Sequence, residues 1–258
     1  MVGAMSFELK ALSRLGRLRG LLVAVVAMFA LGAAGGEAAA KGSKGGKSSK
    51  KKGRKWGKRP NMPPGWVWPP SDAMIAEGDR CKAHLTELGV KWEVGQAERK
   101  IATPIVVPDM KFGGIELVPL WRKPPFVMDC HMAEAWAEKG GPALAAIGVE
   151  KVVFSTIYKY RNVDGMNVLS RHALGLAMDV YQFITTDGKT HVVLGDYRRG
   201  DTVLHDIENT SNATGGYRML LTPGNDRGHY DHFHFEARTP GERIETPPTR
   251  QPKPKKNT

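Results

Sequence analysis

Residues 228–236 read GHYDHFHFE and place His229, His232 and His234, three of the chain's eight histidines, within six positions. Read as a β-strand, the run sends alternate residues to opposite faces. His232 and His234 then project together, while Phe233 and Phe235 pack the other face. A bare His-x-His pair is weak evidence, because such pairs also occur as structural or incidental histidines. A second stretch, SRHALGLAMDV (170–180), strengthens it by supplying His172 and Asp179 seven positions apart. A catalytic zinc site takes three protein ligands and leaves the fourth position open. His172, Asp179 and one histidine of the pair make such a set, and a remaining imidazole, with an ordinary pKa near ~6.5, suits proton transfer. Gly175 and the small Ala177 let the chain turn tightly between ligand-bearing positions.

Outward from these two stretches the pattern mixes strands and helices without regular βαβ alternation. It predicts an α+β single domain with a mainly antiparallel sheet and flanking helices. Ser71 caps a helix whose apolar stripe runs to Leu88, before Gly89. The Pro-interrupted runs 102–110 and 113–121 read as edge strands or loops. Asp129 caps a helix that is expected to break at Gly140 and Gly141 and resume as a short turn. Residues 150–160, EKVVFSTIYKY, form a central strand. A turn at 162–165, a strand over 176–185, a hairpin turn at 186–189 and a strand over 190–196 follow. A helix over 201–209, a variable loop and the strand 232–237 complete the core. His84, His131, His191 and His205 read as structural or exposed.

The ends differ from the core. Lys10, Arg14, Arg17 and Arg19 precede the apolar run Leu21–Leu31, and GEAAA follows, so residues 1–40 read as a signal peptide cleaved after Ala40. Eleven apolar residues span roughly 16 Å as a helix, short of the ~30 Å of a bilayer core; the alternative is an uncleaved anchor over 20–36. Residues 41–70 begin as a Lys/Gly/Ser tract and become Pro/Trp-rich, a composition expected to form a disordered linker. The Met and Trp residues at 62–68 are expected to pack on the domain rather than bind a ligand. The formal net charge of +12 is local: residues 41–60 hold ten basic side chains and no acid, whereas residues 61–258 hold 24 of each sign. The basic tract suits an anionic envelope polymer or lipid head groups, or is only a solvated spacer. No groove-reading motif points to specific nucleic acid. Residues 71–238 form the expected domain and 239–258 a disordered tail. Export, to the periplasm or cell envelope or into the medium, puts Cys81 and Cys130 in an oxidising compartment; they are expected to pair, the alternative being two buried thiols.

Ser170-Arg-His172-Ala-Leu-Gly175-Leu-Ala177-Met-Asp179 fits SxHxxGxAxD, and with the later HxH it resembles the superfamily of lysostaphin-type peptidases, D-alanyl-D-alanine carboxypeptidases and hedgehog domains. CKAHLTELGV, CHMAEAW, YKYR, QFITTDG and HYDHFHFE resemble, within it, the bacterial extensin-like protein C-terminal domain family, over Cys81 to Glu236. The HxxHxH end is also similar to penicillin-insensitive murein endopeptidases. The resemblance implies a hedgehog/DD-peptidase-like fold, with His172, Asp179 and His234 as Zn2+ ligands. His232 is implied as general base or transition-state stabiliser, and His229 as a further catalytic histidine behind the ligands or on the substrate side. Arg161 is implied to bind substrate or the oxyanion, and Ser170 to orient ligand or substrate. Alone, Arg161 reads as a strand-end charge. Relatives carry a cysteine where this chain has Tyr160, so their fuller disulfide set is not expected. The implied function is a zinc metallopeptidase, an endopeptidase or carboxypeptidase acting on peptidoglycan; the alternative is a non-catalytic zinc-containing cell-wall-binding module.

Overall fold

The structure, a computed structural model, describes residues 61–246, all within one compact unit. The expected signal segment, the basic tract 41–60 and residues 247–258 lie outside the described residues. Among the described residues no helix is long and apolar enough to cross a membrane.

The domain opens with helix α1 (Asp72–Glu87), where the Ser71 hydroxyl accepts a hydrogen bond from the Met74 N–H, an N-cap. Three short strands, β1 (Glu93–Val94), β2 (Pro104–Val106) and β5 (Val127–Asp129), make a small antiparallel sheet in the order β1-β2-β5. The main sheet contains β3 (Lys111–Phe112), β4 (Ile115–Pro119), β6 (Val149–Thr156), β7 (Ala177–Thr185), β9 (Tyr217–Leu221) and β10 (Phe233–Ala237). Its order is β3-β4-β6-β7-β10-β9, and β8 (Thr190–Val192) pairs with the far half of β7.

The fold is α+β, but the sheet is mixed, because β4 and β6 run parallel. A parallel pair needs a long crossover. Here it passes through α2 (Cys130–Glu134), a π-helical stretch (Ala135–Gly140) and α3 (Gly141–Ala146). Asp129 caps α2 through the His131 N–H, as expected. The expected break at Gly140 and Gly141 does not occur: both glycines keep right-handed helical backbone. Their role is close approach, since a Cβ on Gly140 would lie 1.9 Å from the Tyr217 hydroxyl and one on Gly141 2.1 Å from the Phe112 carbonyl oxygen.

Other expectations are corrected. β2 and β4 are interior strands of their sheets, not edges. Pro104 and Pro119 stand at a strand start and a strand end, where a missing N–H does least harm. The strand expected over 190–196 stops at Val192, because Gly195 (φ 95°) turns the chain into α4 (Val193–Arg199). α5 (Thr202–Ala213), capped by Asp201, outruns its expected end at Asn209. The expected loop after it contains β9.

Trp136 is fully buried and meets the rings of Tyr217 and Phe235 at 5.8 and 5.1 Å. The packed chain also runs past residue 70 and residue 238 at its two ends. Met62 and Trp66 pack on the core, Trp66 stacks on Trp68 at 6.5 Å, and Glu242 and Glu245 pair with buried arginines.

Cys81 of α1 and Cys130 of α2 form a disulfide closing 49 positions of chain. Replacing both with alanine is expected to remove about 2–4 kcal/mol, mostly by freeing the unfolded chain. Urea unfolding checks this; a loss under about 1 kcal/mol would assign the joint to helix packing instead.

Beside the disulfide, buried His131 donates Nδ1–H to Asp129 Oδ1 at 2.8 Å, with Nε2 3.4 Å from Glu77 Oε1. Burial opposes its charge, but the Asp129 hydrogen bond and charge outweigh burial and raise its pKa. A raised folded-state pKa adds stability that is complete below the unfolded value, near ~6.5, and is lost as pH rises through the folded one. The stability advantage of the wild type over His131→Gln should therefore shrink from pH 6 to pH 9 in thermal melts. A constant gap would mean that His131 does not charge on folding.

Candidate metal centre

Two adjacent strands and one turn bring the site together. On β7 and β10, Asp179 and His234 are direct cross-strand partners, with Phe233 and Phe235 fully buried in the core. Just before β7, a 3-10 turn (Arg171–Leu174) carries His172, and its N-cap is Ser170, whose hydroxyl accepts the His172 N–H at 3.3 Å. Gly175 ends the turn at φ 68°, and a Cβ there would meet the Asp129 nitrogen at 2.7 Å. Glycine satisfies both the left-handed backbone and the close approach.

His172 Nε2 lies 3.1 Å from Asp179 Oδ1 and 3.2 Å from His234 Nδ1, and His234 Nδ1 lies 2.8 Å from the same Asp179 oxygen. All three residues are buried, and they form a group that could hold a metal ion. The far nitrogen of each ring faces an acceptor: His172 Nδ1 the Ile157 carbonyl at 2.9 Å, His234 Nε2 the Glu236 carboxylate at 3.2 Å. Those acceptors require N–H groups, so in neutral rings the nitrogens facing Asp179 carry lone pairs. Two lone pairs and a carboxylate oxygen thus converge without a donor among them, and only a cation reconciles them. A proton is one such cation. Burial would lower the His234 pKa, but hydrogen bonds to Asp179 and Glu236 raise it to about 9; burial would raise that of Asp179, but His172 and His234 hold it well below the usual carboxylate range. A divalent metal is the other, with the ligand chemistry of two imidazoles and one carboxylate.

Two further histidines flank the group. His232 Nε2 stands 3.5 Å from Asp179 Oδ1, and its Nδ1 is 2.7 Å from Asp231 Oδ1. The His229 ring lies 4.9 Å from that of His232 and 5.0 Å from that of His234, with Nδ1 2.9 Å from Asp226 Oδ1. Burial lowers its pKa, as do the neighbouring histidines, against the opposing Asp226. The Arg161 guanidinium instead pairs with Asp164 at 3.0 Å, and among the described residues no contact joins it to the ligand group. A second group, Cys81, His131 and Glu134, also converges, but Cys81 has its sulfur in the disulfide and offers no thiolate.

Sequence reasoning missed the supports behind the ligands. Glu236 holds His234 and pairs with Arg218; Arg218 also meets Glu242 at 3.6 Å and Glu245 at 2.7 Å. Arg171, fully buried, forks onto Glu242 at 2.9 and 2.8 Å and donates to the Ala237 and Asn61 carbonyls. Burial pushes the Glu236 carboxyl up, but His234, Arg171 and Arg218 outweigh it and bring it to about 2. Glu236 could have been found, since it continues the His232, His234 alternation on the same strand face. Tyr181 carried a similar signal, two positions beyond Asp179. Glu242 and Glu245 carried none.

The family model for the extensin-like protein C-terminus matches residues 79–245. The chain belongs to this family. The extensin-like match begins inside α1 and ends at Glu245, so it takes in the three candidate ligand residues, both flanking histidines and the carboxylates that hold Arg171 and Arg218. No curated protein and no solved structure matches the chain.

Proposed function

We propose that this protein is an exported zinc-dependent peptidase that hydrolyses peptide bonds in the stem peptides or cross-links of peptidoglycan, with a fold and site of the lysostaphin, D-alanyl-D-alanine carboxypeptidase and hedgehog type. One observation carries the reading: the buried convergence of His172 Nε2, His234 Nδ1 and Asp179 Oδ1, each imidazole turned inward by an acceptor at its far nitrogen. His172, Asp179 and His234 would hold the ion. Zinc in such a three-ligand site supplies Lewis-acid polarisation and makes water more acidic.

The chain's own residues divide the remaining work. His232, with Nε2 facing the ligand group and Nδ1 on Asp231, accepts a proton at Nε2 and returns it to the leaving amine. His229, the more exposed of the two flanking histidines, lies against both His232 and His234 and would meet the substrate. Arg161, in the loop between β6 and the His172 turn, is available to a substrate carboxylate or oxyanion if it leaves Asp164. The basic tract 41–60 would hold the enzyme near an anionic envelope.

Metal analysis of the purified full chain and its His234→Ala variant, with a release assay on purified peptidoglycan, tests this. The expected result is about one zinc per chain, lost in the variant together with the released muropeptides. Absence of metal from both proteins would sink the mechanism, and metal without hydrolysis would leave a cell-wall-binding module.

A further inference from the structure

The flanking carboxylates were not among the expected site residues, and they share a pattern. Asp231 lies 2.7 Å from His232 Nδ1, and Asp226 lies 2.9 Å from His229 Nδ1. An ionised carboxylate only accepts, so each of these nitrogens donates its N–H, and in the neutral ring Nε2 then keeps the lone pair. For His232 a second contact fixes the ring plane. Tyr181 shares a face of β7 with Asp179, and its ring stacks on the imidazole at 5.1 Å and 19°. Stacking holds the plane but does not tell one ring edge from the other. A 180° flip about the Cβ–Cγ bond keeps that plane yet would take Nε2 away from Asp179, which it faces at 3.5 Å. Asp179 makes no hydrogen bond to the ring at that distance, so the close partner that tells the two edges apart is Asp231, the acceptor at the outer edge. Asp231 itself touches none of His172, Asp179 and His234; its oxygen is engaged by His232.

We propose that Asp231 is the positioning residue for His232: it keeps the proton on Nδ1 and holds the Nε2 lone pair toward the metal group. The consequence for catalysis rests on the peptidase reading above; the tautomer itself does not. A carboxylate behind a basic imidazole sets both its orientation and its protonated edge, and removing such a support costs about 10- to 100-fold in activity or metal affinity.

The test uses the full chain, 15N-labelled and zinc-loaded, with long-range proton–nitrogen spectra of the imidazoles; the His232→Ala spectrum assigns the His232 resonances. In the wild type the proton should sit on Nδ1 of His232. In Asp231→Ala the population should move toward the Nε2–H form while zinc content stays at about one per chain, and kcat should fall about 10-fold or more with little change in KM. Asp231→Asn, which keeps the side-chain shape, decides the matter if the alanine variant does not fold. It should shift the tautomer in the same direction, because an amide can donate to Nδ1 as well as accept. A proton on Nε2 in the wild type, or a tautomer unmoved in both variants, would overturn the proposal. If the wild type hydrolyses nothing, the peptidase reading fails, and the nitrogen spectra still decide whether Asp231 sets the tautomer.

Discussion

Glu242→Ala is expected to destabilise the protein by about 3–5 kcal/mol, among the largest effects of any single side chain outside the apolar core. Glu242 receives both terminal nitrogens of Arg171, whose side chain is 0% exposed, and stands 3.6 Å from Arg218 Nε. Its Oε2 also accepts from the backbone and hydroxyl of Thr239. Truncation leaves the buried guanidinium with only the Asn61 and Ala237 carbonyls as hydrogen-bond acceptors. The measurement is the urea midpoint and slope of the full chain against the variant. A loss below about 1 kcal/mol would show that Glu245 and Glu236 take over the charge. On the proposed reading the same variant should also loosen zinc, because Arg171 adjoins His172 in the 3-10 turn and Arg218 anchors Glu236 behind His234.

On the proposed reading, His232→Ala should lower peptidoglycan hydrolysis by about two to four orders of magnitude, the usual worth of a positioned general base. Metal should stay bound, because His232 is not one of the three residues whose atoms converge. The contrast with His234→Ala, which should lose both metal and activity, is what gives the experiment its power. Retained hydrolysis would move the proton-transfer role to another group, with His229 the nearest candidate. Loss of metal in His232→Ala would mean that the ligand assignment within the HxH pair is wrong.

The local parts of this fold were legible because their causes are local. Ser71 and Asp129 cap the helices they precede, and a cap needs only its own first turn. Phe233 and Phe235 are buried as the alternation around His234 requires. What failed was long-range. Gly140 and Gly141 looked like a helix break, yet their meaning lies in Tyr217 and Phe112, which crowd against them from other elements. The parallel β4–β6 pair and strand β9 depend on which strand each meets across the sheet, which a single stretch cannot state.

The site divides in the same way. Sequence alone pointed to the candidate ligand types, two imidazoles and a carboxylate, because the two stretches carry local geometry: a tight turn allowed by Gly175, and a strand with period two. Only the tertiary structure decided that His234 stands across from Asp179, that Asp231 and Asp226 sit behind the flanking imidazoles, and that Arg161 turns to Asp164 instead. It also decided the clamp between Arg171 and Glu242, seventy-one positions apart. In the sequence that glutamate is one more charge in a Pro-rich tail. It becomes structural because folding removes the water from Arg171, and a buried cation must have a carboxylate partner wherever in the chain that partner lies.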